Sequence, residues 1–277
     1  MRLVDSHCHL QADRFDDDVD AVLAAAREAG VERILVPGWN AWSSAAALAL
    51  AERVPWLDAA VGVHPHDAAG VDDEAWSAIA ASARDPRVVA IGETGLDYDR
   101  VFSPILAQLV NLRRNLVLAA ETGKPAILHC RSRAGEREAQ DALLGELRAF
   151  GDGVPAVVIH SFSGPLDYAE AMLELGAAIS ISGLAFRSGE EATADVVRLV
   201  PADRLLVETD SPFLAPPGAP RGRNAPEWVR VTASWVAELR GNDPESAGDA
   251  LVGAYDRVFH TRRASGAPGA APDDARG

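Results

Sequence analysis

Lysine is almost missing from this chain. Lys124 is the only one in 277 residues, and 26 basic side chains stand against 41 acidic ones, for a net charge of −15. A protein that holds a long stretch of nucleic acid neutralises many phosphates and carries a basic stripe. So acidic a balance argues against that class and leaves room for local phosphate contacts, made by a few arginines or by metal ions. Cysteine is nearly as scarce: Cys8 and Cys130 make no disulfide framework, and both stand beside histidines inside apolar runs. The expected setting is therefore reduced and cytoplasmic. No apolar run approaches the ~20 residues of a membrane span, and the first residues lack the basic-then-apolar layout of a secretory signal. Also absent is a G-x-G-x-x-G after the first apolar run, which counts against a dinucleotide-binding open sheet.

What the chain does have is alternation. Apolar, β-branched runs at 2–9, 33–38, 57–63, 88–93, 126–130, 156–160, 177–183 and 204–210 are separated by Ala-rich amphipathic stretches at 16–29, 41–53, 72–84, 103–122, 136–149, 166–175 and 189–199, with a last one near 226–240. Strand and helix alternating in this way predict a parallel sheet wrapped by helices. Eight such units in about 250 residues is the arithmetic of an α/β (β/α)₈ TIM barrel. One domain is expected over 1–260, with an extra C-terminal helix at 244–260 closing the barrel's bottom or side, and the Gly/Ala/Pro-rich 261–277 as a disordered tail.

The histidines fall where such a barrel would use them. His7 and His9 end the first run, His64 and His66 follow the third, His129 ends the fifth and His160 the sixth; Glu93 ends the fourth and Asp210 the eighth. Any one of these could simply cap a strand. Together they converge, because the carboxyl ends of barrel strands share the face that carries active sites. Imidazole mixed with carboxylate and without thiolate suits borderline-to-hard divalent ions such as Mg²⁺, Mn²⁺, Zn²⁺ or Ni²⁺. Four histidines and two acids exceed one site, so two ions are expected: His7, His9, Glu93 and Asp210 for one, Glu93, His129 and His160 for the other, with Glu93 bridging. A carbamylated lysine is closed as a bridge, since Lys124 precedes the fifth strand and belongs to the opposite face. Strand alternation turns Cys8 and Cys130 outward as packing residues.

In order, "DSHCHL", "GVHPHD", "IGETGLDYDR", "LHCRSRAG", "IHSFSG" and "LLVETDSPFL" make the chain resemble the TatD-family metal-dependent deoxyribonucleases, a branch of the amidohydrolase-like barrels, over about residues 1–260. The family's metal positions fall on His7, His9, Glu93, His129, His160 and Asp210, the six reached from the strand ends. The chain departs from the family pattern at Leu112 and Asn115, where a Phe-x-x-Gln pair is usual, and at "RNAP" (223–226), where the usual glutamate is displaced to Glu227. The resemblance implies DNA as partner, with single-stranded ends degraded 3′ to 5′, and no membrane.

A two-metal centre suits phosphodiester hydrolysis by an activated water. Asp210 is the expected acceptor of that water's proton and, with Glu93 and His64, makes up the catalytic set. His64 and Arg131 are expected to contact the phosphate, Arg100, Arg221 and Arg223 less directly. His66 supports its loop, and Glu208 supports from behind the ligands. The competing readings are a metal-dependent ester or amide hydrolase, such as a D-aminoacyl-tRNA deacylase, and a metal-stabilised scaffold that catalyses nothing. A monomer is expected.

Overall fold

The computed structural model describes residues 1–153, 156–220 and 222–260. Eight parallel strands run in the order of the chain: β1 (Leu3–Asp5), β2 (Val31–Pro37), β3 (Leu57–Val61), β4 (Val88–Asp97), β5 (Ala126–Arg131), β6 (Val157–Ile159), β7 (Ala178–Ile181) and β8 (Leu205–Val207). Helices follow each of them: α1 (Val19–Glu28), α2 (Ala41–Arg53), α3 (Asp73–Ser82), α4 (Ile105–Thr122), α5 (Glu138–Phe150), α6 (Leu166–Glu174), α7 (Thr193–Leu199) and α8 (Val229–Arg240), with α9 (Pro244–Phe259) beyond them. This is the expected TIM barrel. The seam between β8 and β1 closes through backbone bonds: Ser6 N donates to Val207 O (3.0 Å), Asp210 N to His7 O (2.9 Å) and His9 N to Ser211 O (2.7 Å).

Each strand sends one apolar side chain into the lumen: Val4, Leu35, Ala60, Ala90, Ile127, Val158, Ala178 and Leu206 form one buried cluster. These side chains are all buried and fill the lumen, so the barrel is a packed core and not a pore. Leu3, Ile34, Ala59, Ile91, Leu128 and their like face the other way, into the larger cluster beneath the helices. Cys8 and Cys130 belong to that outer cluster. The extra helix closes the bottom: Tyr255 and Phe259 of α9 join the lumen cluster, and Tyr255 Oη donates to Asp58 Oδ2 (2.9 Å) at the start of β3. Lys124 lies at that lower end, donating to the carbonyls of Ala83 and Asp85. Among the described residues no helix is long and apolar enough to cross a membrane.

Three boundaries differ from expectation in ways that matter for the site; the eighth strand was expected over 204–210 but ends at Val207, so Asp210 stands three residues past it. The first strand was expected over 2–9 but ends at Asp5, so His7 and His9 stand past it. The ladder gives way there to the seam bonds. The fourth was expected to end at Glu93 but continues to Asp97. Three steps on β4, Ile91 to Thr94, oppose two on β5, Ala126 to Leu128. A slip of one residue moves a strand's side chains to the other face. Ala90 points into the lumen before the slip; after it Leu96 points outward, and Glu93 and Asp97 point inward. The tail expected at 261–277 lies outside the described residues.

Candidate metal centre and active site

Glu93 is the hub. Its buried carboxylate offers Oε2 to His7 Nε2 (3.2 Å) and His9 Nε2 (3.7 Å). Its other oxygen, Oε1, faces His160 Nε2 (3.0 Å), His129 Nδ1 (3.1 Å) and His64 Nε2 (3.3 Å). Asp210 Oδ1 completes the first side, 3.4 Å from His9 Nε2 and 3.8 Å from His7 Nε2. Asp210 holds a left-handed backbone (φ 53°), which aspartate tolerates better than most residues, and the backbone turn aims its carboxylate at the cluster. The structure thus brings together all six residues read from the strand ends, over separations of up to two hundred positions. Burial works against the charge on Glu93, but the imidazoles of His160, His64 and His7 hold its carboxyl well below the usual range.

The ring nitrogens sort the histidines. In a neutral imidazole one nitrogen donates and the other is a bare acceptor, and the outer hydrogen bond decides which. His160 Nδ1 lies 3.0 Å from Glu208 Oε1, and His129 Nε2 lies 3.3 Å from Asp97 Oδ2. Burial opposes their charge, but Glu93 together with Asp97 or Glu208 raises the pKa of both rings; on giving up a proton, each keeps the one on its outer nitrogen and turns a lone pair towards Glu93. His7 and His9 meet Nε2 to Nε2 at 3.2 Å, and their buried Nδ1 atoms have no partner among the described residues. Two rings meeting in this way hydrogen-bond poorly and chelate well. The donor chemistry fits divalent ions.

His64 is different. By distance alone it groups with Glu93 and His129, but its Nδ1 accepts from the His66 amide (3.1 Å). Burial pushes its pKa down to about 4, so at neutral pH the proton sits on Nε2. That nitrogen is a donor aimed into the site and has no lone pair for a metal. His66 Nε2 contacts Asp97 Oδ2 (2.8 Å), and its carbonyl accepts from Ser103 Oγ (2.7 Å); it supports the loop.

Around the cluster opens a cavity of about 1230 Å³, larger than the ~300–1,000 Å³ of clefts for small molecules. Arg100 lines it from the loop after β4, Arg131 from the end of β5 and Arg133 from the loop that follows; Trp39 and Trp42 line it from the loop and helix after β2, and Phe213 from the segment after β8. Arg131 pairs with Asp99 (3.3 Å). Arg223 is taken up elsewhere, in a two-bond pair with Asp18 (2.8 Å each). Arg221 lies outside the described residues. Leu112 and Asn115 are buried in α4 and do not line the cavity, nor does Glu227.

Reading the sequence missed Asp97, Asp5 and the two tryptophans. Asp97 lay inside the quoted "IGETGLDYDR", but the strand was expected to stop short of it. Asp5 accepts from the amide (2.9 Å) and the hydroxyl (2.6 Å) of Thr209, joining the first strand to the last; burial raises its pKa to about 8.

The chain matches the TatD related DNase family over residues 4–260. It is 38% identical over 255 residues to the 3′–5′ ssDNA/RNA exonuclease TatD of Erwinia billingiae, covering 89% of this chain and 94% of that protein. Among solved structures, YjjV, a TatD homologue from Escherichia coli, superposes with a TM-score of 0.85 at 32% identity, covering 94% of this chain and 98% of that one. A TatD family hydrolase from Entamoeba histolytica shares the fold, with a TM-score of 0.82 at 20% identity over 94% of this chain and 99% of that one.

Proposed function

The chain belongs to the TatD related DNase family and is an enzyme of the nuclease class; on that premise we propose that it is a divalent-metal-dependent 3′–5′ exonuclease acting on single-stranded ends of DNA and of RNA. RNA enters through the curated relatives, whose names include it. The observation that carries the metal dependence is Glu93, whose two oxygens each face their own set of imidazole nitrogens. His7, His9, Glu93 and Asp210 would hold one ion, and Glu93, His129 and His160 the other. When bound, the pair supplies an acidified water and neutralises charge on the attacking and leaving oxygens of a phosphodiester. Mg²⁺, Mn²⁺, Zn²⁺ and Ni²⁺ all suit this donor set.

The chain's own groups do the rest. Asp210 would accept the proton of the attacking water, a role that calls for a carboxylate within hydrogen-bond reach of it. His64, neutral and protonated at Nε2, donates to a phosphate oxygen. Arg131, at the rim, binds a second phosphate oxygen in exchange for Asp99. Asp97 and Glu208 fix the rings of His129 and His160. A reducing, cytoplasmic setting and a monomeric state complete the reading. The free, buried thiols of Cys8 and Cys130 support the first, and a site built from one chain supports the second.

The test is hydrolysis of single-stranded DNA and RNA oligonucleotides, labelled at each end in turn, across the four metals and with EDTA. Stepwise shortening from the 3′ end, abolished by EDTA and restored by a divalent ion, is expected. Cleavage that survives EDTA, or inert oligonucleotides beside rapid hydrolysis of a D-aminoacyl-tRNA ester, would overturn the proposal.

A further inference from the structure

Trp42 is 62% exposed at the rim of the cavity, in the first turn of α2. A large ring kept in water is not explained by packing, and its surroundings fix it in place. Asn40 and Ser43 form a reciprocal cap at the start of α2. The Trp39 amide donates to Ser43 Oγ (2.8 Å), and the Trp39 carbonyl accepts from the His64 amide (2.9 Å). Trp39 links the exposed ring to the centre: its ring lies 6.1 Å from that of Trp42 and 5.2 Å, edge-on, from that of His9. His9 also meets Phe213, a residue 51% exposed, whose ring lies 6.1 Å away with the Arg14 guanidinium 5.7 Å from its centre. The aromatic rings thus come from the loop and helix after β2 and the segment after β8, two strands that flank β1. The cavity's arginines come from the end of β5 and the loops after β4 and β5, across the mouth.

We propose that Trp42, backed by Trp39, is a stacking shelf for one nucleobase of the substrate strand, next to the scissile phosphate. The proposal rests on the nuclease reading and adds the substrate's path: sugar–phosphate along the arginine side, bases along the aromatic side. Stacking on such a ring is tolerant of sequence, because every base has a π-face. The shelf therefore gives affinity for unpaired strands without a base preference, and it rejects duplex ends whose bases are already stacked on one another.

The test compares wild type, Trp42→Ala and Trp42→Phe as metal-loaded full chains. Binding is read by anisotropy with a cleavage-resistant phosphorothioate oligothymidylate, turnover with its ordinary counterpart, and both again with an abasic site moved stepwise from the 3′ end. Trp42→Ala is expected to raise Kd and KM by about 5- to 100-fold with kcat unchanged, and Trp42→Phe to recover most of that loss. At one position the abasic site should weaken wild type by a similar factor and leave Trp42→Ala unaffected. Equal Kd and KM in wild type and Trp42→Ala, or abasic effects that are the same in both proteins at every position, would overturn the shelf while leaving the nuclease reading intact. A wild type that binds through Trp42 and cuts nothing with any metal would overturn the nuclease reading alone.

Discussion

A neutral histidine has one proton and two nitrogens, and what each nitrogen meets decides its use. In their neutral forms, the outer bonds to Asp97 and Glu208 leave His129 and His160 with a lone pair towards Glu93, whereas a backbone amide leaves His64 with a proton there. Replacing Asp97 with its isostere, Asp97→Asn, should therefore leave the fold intact and weaken metal binding by about 10- to 100-fold, since outer partners of ligating histidines contribute on that scale. Calorimetric titration with the preferred metal measures it, and an unchanged affinity would show that His129 does not depend on Asp97. Glu93→Ala removes the carboxylate common to both donor sets, so elemental analysis of the purified variant should find both ions depleted; tight retention of both would disprove the bridge. The six residues gathered around Glu93 were legible in the sequence because histidine, glutamate and aspartate recur at the ends of apolar runs. Tautomers were not, because the partners that set them lie on other strands or in the backbone.

One element, β4, carries more of the site than its length as an apolar run suggested. The slip between Ile91 and Thr94 turns Glu93, Gly95 and Asp97 to the inner face. No run of residue types in "IGETGLD" signals such a slip, and simple alternation would have sent Glu93 to the helix layer. Asp97 was missed for that reason. Gly95 is needed where β4 passes β5: its φ is 141°, and a Cβ there would land on the His129 carbonyl. Gly95→Ala should force the strands apart, costing about 1–3 kcal/mol of stability as overpacking does and lowering the melting temperature by roughly 2–4 °C per kcal/mol. It should also lower metal affinity, because Glu93 and His129 would separate. A scanning calorimetry trace unchanged from wild type would mean that the strand accommodates the methyl without shifting.

At the scale of the whole molecule the barrel was legible from the eightfold alternation, and the closing helix from a ninth amphipathic stretch. What no periodicity could supply is how charge is distributed over an acidic surface. Both signs line the mouth, so only phosphates near the centre gain from binding, and counterion release should be small. The expected dependence of log kcat/KM on log salt corresponds to about one to three charges, against six to ten for extended binders, with single-stranded ends preferred over long duplex. Assays on oligonucleotides of increasing length at several salt concentrations check this; rates that climb with duplex length and collapse with salt would contradict it. The seam has a consequence in time as well. His7 and His9 are among the first residues made, whereas Asp210 and Ser211, whose backbone bonds hold that segment in the ring, arrive some two hundred residues later. Domains fold as units and in step with synthesis, so a growing chain carries most of the site's side chains long before it can arrange them. A chain still on the ribosome thus has no assembled site until the last strand emerges and the ring shuts.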